Sequence, residues 1–431
     1  MILNYLGGFL DAGIFKNIIR TSTFRQSLIT FSGTFLNGAL GAVFYILTAR
    51  FLGPSSFGLM TVAITILTLV ADISDLGTDT GIVNFVPKYL KEDPEKVKKF
   101  LKLGLSVKLI ISTVVLILGL VFAKSVASVI FAKPELSDPI KIAFIGVGSL
   151  LLFSFLTHTL QAYQKFWAWS GIQVATNTAR VVLIYFFLLV GIITLNNVLI
   201  LYISIPFLGF IIGFLLLDRK VLFVKNVWSV SKEFFKYNKW VASFTLLAAF
   251  SSRLDTFLSA RLLSNNELGI YSAATNMVKI VPQLVVAIGT VIGPKMASIG
   301  NVDELKIYLK KTQVYVLSIC ILGIVSIPVV LYLIPILFGV EYLSSGPIFV
   351  ILLIAMLTFL FSVPIHMSIF YYFSYPKLFF WLSLFHLIII LSFGWFLISI
   401  YGVLGAALTV LVGQVFNFVI PLIWVIRKMR S

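Results

Sequence analysis

The chain has 431 residues, 60% of them hydrophobic and 11% charged, with a mean hydropathy of +1.07 and a net charge of +17. A soluble domain is about a quarter charged, so this composition excludes a water-soluble core. Apolar runs of about 20 residues, enough to cross ~30 Å of hydrocarbon, recur along the whole length, and the short alternating strands of a barrel do not. An all-α polytopic membrane protein is expected. The single cysteine, Cys320, sits within an apolar run and offers neither a disulfide framework nor a metal cluster.

In chain order, residues 1–26 read as a cytoplasmic or interfacial N-terminal arm, since they mix apolar and polar residues and show no cleavage pattern. Twelve spans are expected. Six near 27–49, 59–85, 103–123, 140–162, 169–192 and 196–217 form an N-lobe, residues 27–217. Six near 240–262, 268–293, 312–334, 347–371, 378–400 and 403–426 form a C-lobe, residues 240–426. Residues 218–239 join them as an amphipathic linker, with Phe223, Val227, Val230, Phe234 and Phe235 set against lysines, and 427–431 form a tail. Connections on one side carry 24 of the 33 Lys and Arg; the other side and its flanks carry five, Arg50, Lys124, Lys133, Lys141 and Arg261. This asymmetry puts the linker and both termini in the cytoplasm. The positive charge therefore orients the protein and attracts anionic lipid; no nucleic-acid surface is expected.

The two halves echo each other. The stretch 49–63, ARFLGPSSFGLMTVA, returns as 260–274, ARLLSNNELGIYSAA, with Ala49, Arg50, Leu52, Gly58 and Ala63 repeated as Ala260, Arg261, Leu263, Gly269 and Ala274. Pro87-Lys88 returns as Pro294-Lys295, 207 positions on; His158 after LFS returns as His366 after LFS, 208 on; Arg219-Lys220 returns as Arg427-Lys428. Six spans per half is even, so the two halves enter from the same face as a parallel repeat about the membrane normal.

The stretch ARFLGPSSFG after the first span, Asp75-Leu76-Gly77 in the second and LGIYSAA entering the eighth resemble the polysaccharide-biosynthesis flippases. LFGVEYLSSGPIFVILLIA, residues 337–355, adds to the likeness. That family belongs to the multidrug/oligosaccharidyl-lipid/polysaccharide (MOP) exporter superfamily. The resemblance covers residues 25–428. It implies two pseudo-symmetric six-helix bundles facing a central cavity. The implied cargo is a polyprenyl phosphate- or diphosphate-linked oligosaccharide, moved by alternating access across the cytoplasmic membrane, with glycan-assembly proteins as further partners. A monomer in contact with membrane lipids is expected, with no cofactor, and with coupling to H+ or Na+ open.

Charges within spans need a reason, because each costs at least about 2.5–3.5 kcal/mol at the bilayer centre. Asp72, Asp75 and Asp79 fall on one face of a continuous helix. They read either as an ion-coupling site or as partners of basic residues. Arg180, Arg253 and Lys279 lie within the fifth, seventh and eighth spans. Guanidinium forks suit phosphate oxygens, so these three read as a cavity site for the lipid phosphate, with buried ion pairs as the alternative. Asp255 points away from Arg253 and Arg261 toward a neighbouring helix. Arg50 and Arg261 end the first and seventh spans, either as C-terminal caps or as parts of an outer gate. Lys108, about two turns inside its span, is expected to snorkel to the interface.

His158 and His366 read as packing or sugar contacts, with no metal site expected. Gly33, Gly38 and Gly41 form a face for close helix packing. The alternatives are an ion-coupled multidrug exporter of the same superfamily and a membrane glycosyltransferase or polymerase. An acidic cavity would mark the first. The second needs carboxylates in sizeable outer loops, and Glu135, Asp138, Glu267 and Glu341 are scattered over short ones.

Overall fold

A computed structural model describes residues 22–430, so the expected N-terminal arm lies outside the described residues up to Thr21. The described residues are helical almost throughout and contain no strand. This follows from the apolar runs: in hydrocarbon every backbone N–H and C=O must find its partner within the segment, which a helix provides. The N-lobe holds α1 (Ser22–Ser74), α2 (Thr78–Tyr89), α3 (Pro94–Ser125), α4 (Ser137–Ala162), α5 (Phe166–Val190) and α6 (Leu195–Phe214). The C-lobe follows with α7 (Ser231–Ser251), α8 (Leu254–Leu262), α9 (Asn265–Val278), α10 (Ile280–Ala297), α11 (Val302–Val325), α12 (Ile327–Leu337), α13 (Ser345–Met367) and α14 (Lys377–Arg430).

Among the described residues nine helices are long and apolar enough to cross a membrane. Helix α1 kinks at Gly53 (φ 73°) ahead of Pro54, and α14 at Gly402 (φ 56°). Counting twelve spans rests on dividing these two helices and on joining α7 to α8. Starts are fixed by side-chain caps: Asp93 accepts from Lys96 N, Thr194 from Asn197 N, and Ser264 with Glu267 forms a reciprocal capping box.

The repeat is written in the backbone as well as the sequence. Left-handed residues recur at matching places, Ala132 with Gly339 at an offset of 207 and Gly191 with Gly402 at 211. One apolar core runs from Leu258 to Val410 in the C-lobe, and others fill the N-lobe. The repeated stretches touch each other. A Cβ at Gly58 would meet the backbone of Asn265, Leu268 and Gly269, and a Cβ at Gly269 would meet the backbone of Pro54. Ala49, Ala63, Ala260 and Ala274 are fully buried around this crossing, where small side chains let two backbones approach.

The expected Gly33–Gly41 packing face is corrected in part: Gly33 lies against Ser170, but at Gly38 and Gly41 no neighbouring helix comes within 4 Å of where a Cβ would stand. The linker, residues 218–239, runs through several elements. Two short turns, Arg219–Phe223 and Val227–Val230, precede α7, because Asn226 takes a left-handed conformation between them. Val221, Val230 and Phe234 are buried against the N-lobe, while Phe223 and Trp228 stay exposed.

Candidate functional site

The three acids of the second span do not share one helical face. Helix α1 ends at Ser74, Leu76 and Gly77 are left-handed, and α2 starts at Thr78, so the break falls between Asp72 and Asp79. Asp75 supports the break by accepting from Thr78 Oγ1 at 2.7 Å and from Asp79 N at 3.3 Å. Lys108 of α3 explains why. Its Nζ lies 2.6 Å from Asp75 Oδ1 and 3.0 Å from Asp79 Oδ1, with no exposed side-chain surface. The expectation that Lys108 snorkels to the interface is therefore overturned: its stem runs inward to two carboxylates. Ser154 and His158 of α4 complete the cluster. Ser154 Oγ donates to Asp79 Oδ2, and His158 Nδ1 is 3.4 Å from the same oxygen. His366, the counterpart of His158, instead places Nε2 2.9 Å from the Asn417 carbonyl, so the repeat does not extend to this cluster.

Asp72 turns to the other lobe. Arg253 stands at the break between α7 and α8, and its Nη2 donates to Asp72 Oδ2 at 2.6 Å. Its Nη1 donates to the Ala249 carbonyl at 3.2 Å. Lys279, between α9 and α10, is exposed; it donates to Asn276 Oδ1 at 2.7 Å and stands 4.9 Å from the ring centre of Tyr45 in α1. Arg180 donates to Asn177 Oδ1 at 3.0 Å and to the Tyr202 carbonyl at 3.1 Å, its guanidinium 4.1 Å from the Tyr202 ring centre. Its Nε is buried without an acceptor among the described residues. Asn177 also donates to Asn37, tying α5 to α1. Arg253 and Lys279 thus reach across the lobe boundary, to Asp72 and Tyr45, whereas the partners of Arg180, Asn177 and Tyr202, belong to its own lobe. Asp255 accepts from Tyr271 Oη at 2.7 Å, a pair within the C-lobe.

Arg50 and Arg261 lie at the opposite end of the lobe boundary, beside the Gly58–Gly269 crossing. Arg50 Nη1 donates to the Ile336 carbonyl and Arg261 Nη1 to the Val129 carbonyl, each reaching into the other lobe. Val129 and Ile336 are 207 residues apart, the offset of the repeat, so the two bonds are reciprocal. Tyr342 Oη donates to the Ala49 carbonyl at 2.8 Å and Asn265 Nδ2 to Glu135 at 2.7 Å, adding two further ties between lobes. This end of the boundary is closed.

Lys108, Ser154, Tyr45, Tyr202 and Tyr271 were not singled out as site residues from the sequence. A lysine inside a span needs a counter-charge, and that rule would have found Lys108. The tyrosines, among sixteen in the chain, carried no distinguishing signal.

The polysaccharide biosynthesis protein family profile matches residues 24–300. No curated protein matches the chain. Among solved structures, the lipid II flippase MurJ in an inward closed conformation superposes with a TM-score of 0.72 at 18% identity, covering 92% of this chain and 87% of that one. An inward-facing multidrug resistance MATE transporter of the MOP superfamily gives 0.66 at 15% identity, covering 94% and 98%. A MOP superfamily transporter from Pyrococcus furiosus Vc1, described as having a binding pocket of reverse polarity, gives 0.56 at 15% identity, covering 94% and 95%. The fold is that of these two-lobe transporters, and the likeness is to transporters rather than to catalysts.

Proposed function

Because the chain belongs to the polysaccharide biosynthesis protein family, we propose that it flips a polyprenyl phosphate- or diphosphate-linked oligosaccharide across the cytoplasmic membrane by alternating access. The observation that supports this reading is a set of intramembrane cations, Arg253 and Lys279 with contacts across the lobe boundary and Arg180 in the N-lobe with a buried donor lacking an acceptor among the described residues. A diphosphate offers several anionic oxygens, and guanidinium donors bind such oxygens about twice as strongly as neutral ones. The amide and phenol groups of Asn37, Asn177, Tyr45 and Tyr202 beside Arg180 suit sugar hydroxyls.

With the basic face in the cytoplasm, the closed end holding Arg50 and Arg261 faces outward. We assign Arg50 and Arg261 to the outer gate. The Asp75–Lys108–Asp79 cluster with His158 is the place for H+ coupling, since a proton on Asp79 would remove the charge facing His158 and one of the two facing Lys108, which stays paired with Asp75; Asp255 with Tyr271 is structural.

The test is a reconstituted flipping assay with a fluorescent polyprenyl diphosphate-linked sugar, read by quenching from one side. Arg180→Ala with Arg253→Ala should abolish flipping while expression and folding persist. Flipping at the unaltered rate would sink the anion site. Efflux of cationic drugs without flipping would favour the multidrug reading instead.

A further inference from the structure

We propose that Asp72 is a built-in stand-in for the substrate's phosphate. It occupies the Arg253 guanidinium in the empty protein and yields it when the lipid phosphate arrives. It takes the guanidinium back to expel the anion after the lobes have moved. The inference rests on the cavity reading above and deepens it by naming what competes with the substrate.

The three acids of the second span divide by partner. Asp75 and Asp79 are held inside their own lobe by Lys108, which has no exposed surface. Asp72 lies on the far side of the helix break and pairs across the lobe boundary with Arg253. Among the described residues Arg253 is its only ionic partner. The pair is only partly covered by protein, with 48% of the Asp72 side chain and 21% of the Arg253 side chain exposed. An ion pair so exposed is weak and exchanges readily, whereas a buried one does not. Carboxylate and phosphate present oxygens of similar spacing to the same fork, and a diphosphate brings more charge.

The neighbourhood favours the exchange. Lys279 is bonded to the neutral Asn276, so its charge is not neutralised by an ionic partner among the described residues. It lies within the electrostatic reach of Arg253. With Asp72 in place, the site carries one net positive charge from these three groups; with Asp72 withdrawn, it carries two. Asp72 and Arg253 belong to different lobes, so replacing the carboxylate by a free anion also removes a tie between them. Binding and release of the lobes are then one event, as a ligand with different affinity for two states requires.

The test uses the full chain in lipid nanodiscs with farnesyl diphosphate as the probe. Spin labels on cysteines at Lys91 and Gly300, in a Cys320→Ser background, report the inter-lobe distance. Asp72→Asn should bind the probe about three- to tenfold more tightly than the unaltered protein, a gain set by removal of a weak competing pair. Its probe-free distance distribution should already resemble the bound one. In the flipping assay KM should fall and kcat should fall with it, because nothing displaces the phosphate; Asp72→Glu should restore both. A purely structural role would not lower KM. Equal or weaker probe binding by Asp72→Asn and by Asp72→Ser, beside measurable binding by the unaltered protein, overturns the stand-in role and leaves the cavity reading intact. Absence of binding in all forms overturns the cavity reading, and this inference with it.

Discussion

Lys108 is the residue on which the N-lobe's interior depends. Its ammonium faces two carboxylates and no solvent, and removing one member of such a group leaves uncompensated buried charge. Lys108→Met should destabilise the protein by about 3–5 kcal/mol, read as thermal unfolding in detergent. Lys279→Met, at an exposed site with a neutral partner, should change stability far less. Adding Asp75→Asn and Asp79→Asn to Lys108→Met should recover much of the loss, since the charges are then removed together. The sequence showed that an intramembrane lysine and three nearby acids exist; it did not show which acid meets which cation. A lysine stem of four carbons reaches inward as easily as toward a head group, and its partner Asp75 lies 33 positions away in the turn between α1 and α2. Pairing at that range is decided by packing.

At the scale of elements, the linker is bound to one lobe before it serves the other. Lys96 lies 2.9 Å from Glu233, Tyr89 Oη donates to Glu233 at 2.8 Å, and Lys102 Nζ donates to the Val224 carbonyl at 2.8 Å. Partial burial alone would push the Glu233 carboxyl up; hydrogen bonds from Lys96 and Tyr89, with the lysine charge, outweigh it and hold the group below the usual carboxylate range. Asp218 is likewise held down, by the Lys220 backbone N–H and the nearby Lys98. Both groups titrate lower in the folded protein than in the unfolded chain. Their contribution is therefore fully present above about pH 5 and is lost as pH falls through the folded values. A nitroxide at Ser229 should gain mobility on acidification below about pH 4 and show no change between about pH 5 and 8. The apolar spacing of the linker marks Val230 and Phe234, which are buried, and equally Phe223 and Phe235, which are exposed. It did not predict the break at Asn226, because a left-handed residue leaves no mark on hydrophobic periodicity.

For the whole molecule, the repeat is the organising fact, and it is legible in the hydropathy pattern and the internal echoes of the chain. What the echoes did not show is that Gly58 and Gly269 would be each other's neighbours; a repeat gives equivalence, not contact. Gly269→Val should prise α1 from α9, since its side chain meets the Pro54 backbone, which has no room to yield. With Cys320→Ser and Phe57→Cys, whose site is fully buried, labelling by a membrane-impermeant maleimide should be slow, and Gly269→Val should speed it. The reciprocal bonds of Arg50 and Arg261 make this closed end resemble an isologous dimer interface, in which one patch meets its own copy across a two-fold axis. A single polypeptide has here been given the contact geometry of two identical subunits, with the linker serving as a tether. Separate expression of residues 1–225 and 226–431 in one cell should then yield a complex that co-purifies, held by an interface that still carries the symmetry of a pair.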